Sequence, residues 1–148
     1  MKNRGYFGIG IENGKNKFNY GSLYRTAGIL GASFLFIIGK RFQPQISDTC
    51  RSHKHIPTLS YLNFDDFYKN LPYNCMLIGI EMIPEATYIE KFTHPERACY
   101  LLGAEDHGLS KVAISKCHKF IKLQGEVSLN VSVAGSIVIY DRISKIGH

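Results

Sequence analysis

The chain has 148 residues and a mass of 16.7 kDa, enough for one domain with a sizeable core. Hydrophobic residues make up 45% and charged residues 20%, the balance of a soluble globular protein. The longest apolar run, Gly28 to Gly39, falls well short of the roughly twenty residues a membrane helix needs, and no charged-then-apolar leader opens the chain. A single cytoplasmic domain over residues 1–148, without membrane attachment, is therefore expected. The net charge of +6 and pI near 9.2 favour a polyanionic partner. The four cysteines, Cys50, Cys75, Cys99 and Cys117, contain no CxxC pair and suggest neither a zinc site nor a disulfide framework. Cys50-x-x-His53-x-His55 is the one local cluster of interest to a metal, and without a distant partner it reads as a loop.

In chain order, "YFGIGI" (Tyr6 to Ile11) reads as a first strand, followed by the polar loop "ENGKNKFN". "YGSLYRTAGILG" places Leu23, Ala27 and Leu30 at helical spacing and stops at Gly31; a start near Tyr20 makes Asn19 its cap. "SFLFIIG" suits a strand buried on both faces. "NFDDFYKNL" reads as a helix capped by Asn63, with Asp65 and Asp66 in its first turn. "CMLIGI" and "CYLLG" are two more buried strands, "KFIKL" a shorter one, and the last helix spans about Asn130 to Ile143. Short apolar strands interleaved with helices predict an α/β fold with a mostly parallel sheet and helices on both faces. In such sheets ligands bind beyond the carboxyl ends of the strands, which directs attention to the loops after "CMLIGI", "CYLLG" and "KFIKL".

Three stretches carry groups suited to chemistry. "NYGSLYRTAG" holds Asn19 and Arg25; a guanidinium, charged at any accessible pH, binds phosphate or carboxylate through its planar fork, or simply reaches solvent. Lys15 and Lys17, just before it, can meet phosphates or form plain solvated surface. "LLGAEDHGLS" ends a strand at Gly103 and places Glu105, Asp106 and His107 in a loop before a helix. There Glu105 can accept bonds from a ligand or position an arginine, and the same pattern also describes an ordinary strand-to-helix turn. "SLNVSVAGSIVIYD" opens with Ser128 and Asn130 flanking Leu129, both good helix caps. "GIGIENG" superficially suggests a dinucleotide loop, but its glycines miss the GxGxxG spacing and two fall inside the strand; no GxxxxGK[ST] is present.

Together, and in this order, the three stretches resemble the SPOUT superfamily, and within it the SpoU/TrmH family of S-adenosylmethionine-dependent RNA ribose 2'-O-methyltransferases. The resemblance covers essentially the whole chain and is similar to the minimal, single-domain members. It implies a carboxyl-terminal deep trefoil knot that forms the cofactor pocket, and a homodimer paired through helices beside the knot. It implies that Ile80, Gly103, Leu123, Ser128, Leu129 and Asn130 hold S-adenosylmethionine, with no metal. It also implies that Arg25, Asn19 and Glu105 serve catalysis, and that Lys15, Lys17 and Arg25 meet RNA, a transfer or ribosomal RNA. A ribose hydroxyl is a poor nucleophile and must lose its proton as it attacks the sulfonium methyl group. A free guanidinium, with a pKa of about 12.5 or more, is a weak candidate for a base. Arg25 stabilising the developing alkoxide, with help from a phosphate, is at least as good a reading. A non-catalytic RNA-binding relative and a base-nitrogen methyltransferase are the alternatives.

Overall fold

The computed structural model describes residues 5–39 and 56–146. The Cys50, His53, His55 triplet lies outside them. Seven strands form one sheet in the order β3-β2-β1-β6-β4-β7-β5. They are β1 (Tyr6–Glu12), β2 (Phe34–Ile38), β3 (Thr58–Tyr61), β4 (Met76–Ile80), β5 (Thr87–Tyr88), β6 (Arg97–Leu102) and β7 (Lys119–Lys122). Every pairing is parallel. The helices are α1 (Lys17–Ile29), α2 (Phe64–Lys69), α3 (Lys111–Lys116) and α4 (Val131–Ile146). No helix among the described residues is long and apolar enough to cross a membrane.

Strand side chains alternate between the two faces, and each face is covered. Phe7, Ile9 and Ile11 of β1, with Tyr100 and Leu102 of β6, pack under α1 and α4. Phe34, Phe36, Leu77, Cys99 and Leu101 pack on the other face with Phe64 and Phe67 of α2 and Ala113 of α3. The glycines of "GIGI" belong to this packing. Gly8 and Gly10 lie beside Phe34 and Phe36 of the neighbouring strand, and a Cβ on either would come within 2.3 Å and 2.2 Å of those rings. Steric fit under two aromatic rings accounts for them without any phosphate.

Two helix starts differ from the sequence expectation. Asn16, not Asn19, caps α1, accepting from the Phe18 backbone N–H at 2.9 Å. Asn130 alone caps α4, its Oδ1 accepting from Ser132 and Val133 N–H at 2.9 and 3.3 Å. Ser128 makes no hydrogen bond to any described residue. Asn63 caps α2 as predicted, with Asp65 and Asp66 in its first turn.

The far end of α4 is fastened by a buried polar chain. Arg142 is 1% exposed, lies over the Phe7 ring at 4.9 Å, and donates to the carbonyls of Pro95 and Glu96 and to the Tyr100 hydroxyl. His94 sits with Nδ1 2.6 Å from that hydroxyl and Nε2 2.7 Å from Asp141 Oδ2. One protonation pattern satisfies the chain: Arg142 donates to Tyr100, Tyr100 to Nδ1 of a neutral His94, and Nε2–H to Asp141. Burial pushes the His94 pKa down, the bond and charge of Asp141 push back, and Arg142 and Lys145 add to the lowering, for a net pKa below the ordinary value. Because the unfolded chain then takes the proton first, His94 lowers folding stability as pH drops below about 6.5. The melting temperature of wild type is expected to fall between about pH 7 and pH 5 more steeply than that of His94→Gln; parallel melting curves would refute the assignment.

Candidate functional site

β6 lies between β1 and β4, and the loops leaving these three strands meet at the carboxyl edge of the sheet, where open parallel sheets bind ligands. The loop after β6, residues 103–110, is a closed turn. Ala104 and Gly108 exchange backbone hydrogen bonds of 2.8 and 3.2 Å, and Gly108 adopts φ +67, a left-handed conformation that favours glycine. Two carboxylates clasp the turn from either side. Glu12, at the end of β1 and 2% exposed, accepts from Ser110 N–H at 2.8 Å and from its hydroxyl at 2.6 Å. Glu81, just past β4, accepts from Leu109 N–H at 2.9 Å and Met82 N–H at 3.1 Å. Sequence reading missed both acids. Their one signal is position, each being the first acid at or after the end of a buried strand.

Beside this turn lies a cavity of about 430 Å³ at the ends of β4, β6 and β7, within the size range of small-ligand pockets. Five of the six residues expected to hold a cofactor line it: Ile80, Gly103, Leu123, Ser128 and Leu129. Its floor is apolar, from Leu102, Ile121, Val131 and Ala134, and its rim carries the carboxylates Glu81, Glu105 and Asp106. Asn130, the sixth, stands outside the wall and acts through a relay. Its Nδ2 donates to Asn19 Oδ1 at 3.0 Å, and Asn19 Nδ2 donates to Glu105 Oε1 at 2.6 Å.

This relay joins the three sequence stretches. Asn19 is 6% exposed, freed from capping by Asn16, and it bridges partners 86 and 111 residues away. The donors all point one way, from the amino end of α4 through two amides to a carboxylate, an arrangement in which each dipole reinforces the next. At Glu105 partial burial pushes the pKa up, but bonds from Asn19 and from the backbone N–H groups of Glu105 and Lys15 outweigh it, holding the carboxyl below its ordinary value. Glu105 is thus an anion at neutral pH and serves as an acceptor.

Other predicted residues lie elsewhere. Arg25 is on the exposed side of α1, outside the cavity wall, and its side chain makes no hydrogen bond or ion pair with the described residues. Asn19 and Glu105 bond each other and not Arg25 within the described chain. The Lys15 ammonium is 3.7 Å from Asp106, and that of Lys17 lies 5.6 Å from the Phe18 ring centroid. His107 is exposed, with Nε2 3.5 Å from Asp106. Among the described residues no group of three His, Cys, Asp or Glu could hold a metal ion.

Asn130→Ala removes a helix cap, at a cost of about 1 kcal/mol, and leaves Asn19 without one partner. The expected result is a melting temperature lower by a few degrees together with weaker S-adenosylhomocysteine binding by calorimetry. Unchanged melting and affinity would contradict the relay.

A parallel α/β sheet with a partly apolar, carboxylate-rimmed cleft at its strand ends defines a small-ligand-binding protein of doubly covered sheet architecture. The chain belongs to the SpoU rRNA methylase family, whose model it matches over residues 7–140. It is 28% identical over 135 residues to a Staphylococcus aureus protein assigned to the TrmH family of tRNA/rRNA methyltransferases, covering 86% of this chain and 54% of that protein. The chain thus spans about half the length of the curated relatives it matches. Among solved structures, an AdoMet-bound rRNA methyltransferase from Sinorhizobium meliloti superposes with TM-score 0.83 at 19% identity, over 95% of this chain and 56% of that one. A structure described as giving insight into 2-OH methylation of C/U34 on tRNA also superposes at 0.83, with 20% identity and 97% of both chains covered. At these identities the superpositions speak for the fold.

Proposed function

We propose that the protein is an S-adenosylmethionine-dependent RNA methyltransferase that modifies a ribose 2'-hydroxyl of transfer or ribosomal RNA. The observation that carries this reading is the Glu105–Asn19–Asn130 relay beside the strand-end cavity, which ties the family's three characteristic stretches into one site. Family membership supports it, as do the AdoMet-bound neighbour and the tRNA 2-OH methylation neighbour of the same fold.

The cavity fits the donor by its chemistry. An apolar floor suits an adenine ring, Gly103 lets the 103–110 turn close tightly against the strand end, and the carboxylates on the rim suit ribose hydroxyls and an amino group. S-adenosylmethionine, when bound, supplies a methyl group already activated on a sulfonium. Leu129, 43% exposed on the cavity wall, would lie against the ligand, while the relay fixes where Glu105 and the start of α4 stand. A knotted path for the carboxyl-terminal segment belongs to this reading.

So does a homodimer. α1 and α4 pack side by side and run in the same direction, since Asn19 meets Asn130 and Leu23 meets Gly135. Their outer surface exposes Ile29, Val133, Ile137 and Tyr140, an apolar stripe at helical spacing of the kind that marks an interface. Arg25 shares this outer surface, so pairing delivers its guanidinium to a cavity that its own chain does not give it. There it can hold a phosphate and stabilise the alkoxide forming at the ribose.

The test is to incubate total RNA with the protein and methyl-labelled donor, digest to nucleosides and identify the products by mass spectrometry. The expected product is a 2'-O-methyl nucleoside. Label on a base nitrogen would place the enzyme in another branch of chemistry, and RNA binding without label would make it a non-catalytic binder.

A further inference from the structure

The first turn of α1 offers solvent an exposed aromatic ring. Phe18 is 74% exposed, with the Lys17 ammonium 5.6 Å from its centroid and Lys15 in the loop before it. Residues seven apart on a helix share a face and stand about 10 Å apart along the axis, so Phe18 lies on the same outer surface as Arg25. The next residue, Asn19, turns inward to Glu105. The ring is therefore one residue from the candidate site, next to Lys17, and is not required by either core cluster.

We propose that Phe18 is a stacking platform for a base of the RNA substrate adjacent to the modified nucleotide, with Lys17 and Lys15 meeting its phosphates. This rests on the RNA methyltransferase reading above. An aromatic face flanked by cations is the way proteins hold single-stranded RNA, since every base has a π-face and every linkage a charge. A second copy of the chain is the competing occupant, and charge disfavours it. The first turn of α1 has no acid, so a two-fold contact centred on Phe18 would oppose Lys17 to itself, whereas a phosphate backbone neutralises it. The stripe suited to self-pairing lies along α4, at Val133, Ile137 and Tyr140, and reaches α1 at its far end, at Ile29, about three turns from Phe18.

The experiment compares wild type with Phe18→Ala, Phe18→Leu and Phe18→Tyr, using total transfer RNA as the probe. Readouts are filter binding, KM and kcat for methyl transfer, calorimetry with S-adenosylhomocysteine, and sedimentation for the number of copies. Phe18→Ala is expected to weaken RNA binding and raise KM roughly tenfold, with kcat, donor affinity and copy number unchanged. Phe18→Tyr should restore binding because the ring remains, and Phe18→Leu should not. Wild-type affinity in Phe18→Leu, or separation of the copies in Phe18→Ala, would overturn the proposal. Failure of the wild type itself to methylate any RNA would instead overturn the function on which the proposal rests.

Discussion

Arg25→Ala is expected to lower methyl transfer by at least about a hundredfold, the scale of losing one donor to developing negative charge, while S-adenosylhomocysteine affinity stays close to wild type. The reasoning is positional. Arg25 lies outside the cavity wall and bonds no described residue of its own chain, so its removal leaves the donor pocket and the core intact. Its guanidinium remains charged at any accessible pH, which suits it to stabilising an alkoxide more than to accepting a proton. Lysine in its place keeps the charge but loses the fork, and intermediate activity is expected there. Near-normal turnover in Arg25→Ala would remove this residue from the mechanism.

Gly103→Ala is the second large effect, and its cause is steric. A Cβ at Gly103 would lie 2.1 Å from the Gly108 carbonyl carbon and 2.2 Å from the Leu109 backbone nitrogen. Both are backbone atoms of the turn that Glu12 and Glu81 hold in place, so relief requires the turn to open. Overpacking of this kind costs about 1–3 kcal/mol, and opening the turn displaces Glu105 and one wall of the cavity. Donor affinity is expected to fall by roughly tenfold or more, with melting lower by several degrees. Unchanged donor binding would show that the turn does not shape the pocket. The two variants also complement each other. If Arg25 serves the partner's cavity, mixing Arg25→Ala with Gly103→Ala subunits creates one intact site in each mixed dimer, recovering roughly a quarter of wild-type activity for random pairing. Recovery is the expected result; its absence would place Arg25 at its own chain's cavity.

The long apolar runs were legible because burial on both faces leaves no other composition available to a parallel strand. β1, β2, β4 and β6 all stand where such runs occur, and β7 where the shorter "KFIKL" does. β3 escaped because "TLSY" is an edge strand with Leu59 and Ser60 exposed, and β5 because two residues carry no period. α1 starts three residues ahead of the expected Tyr20, because Asn16 and Asn19 are equally good caps. What decides between them is Glu105, 86 residues away, which takes the Asn19 amide for itself. Glu12 and Glu81 were invisible for a related reason: only the strand order β1-β6-β4 brings their carboxylates to the same turn. Arg142 in "IYDRIS" is buried by distant partners, the carbonyls of Pro95 and Glu96 and the Tyr100 hydroxyl, which draw it under the helix. Local pattern reports an element's kind; long-range polar partners fix its ends and its exceptions.

The methyl donor is expected to bind in the cavity at the ends of β4, β6 and β7. Calorimetric titration of the wild-type protein with S-adenosylhomocysteine, repeated with Gly103→Ala, tests this most directly. Saturable binding of one ligand per chain, weakened in the variant, is the predicted result. Absence of binding at millimolar ligand, or equal affinity in both proteins, would contradict it.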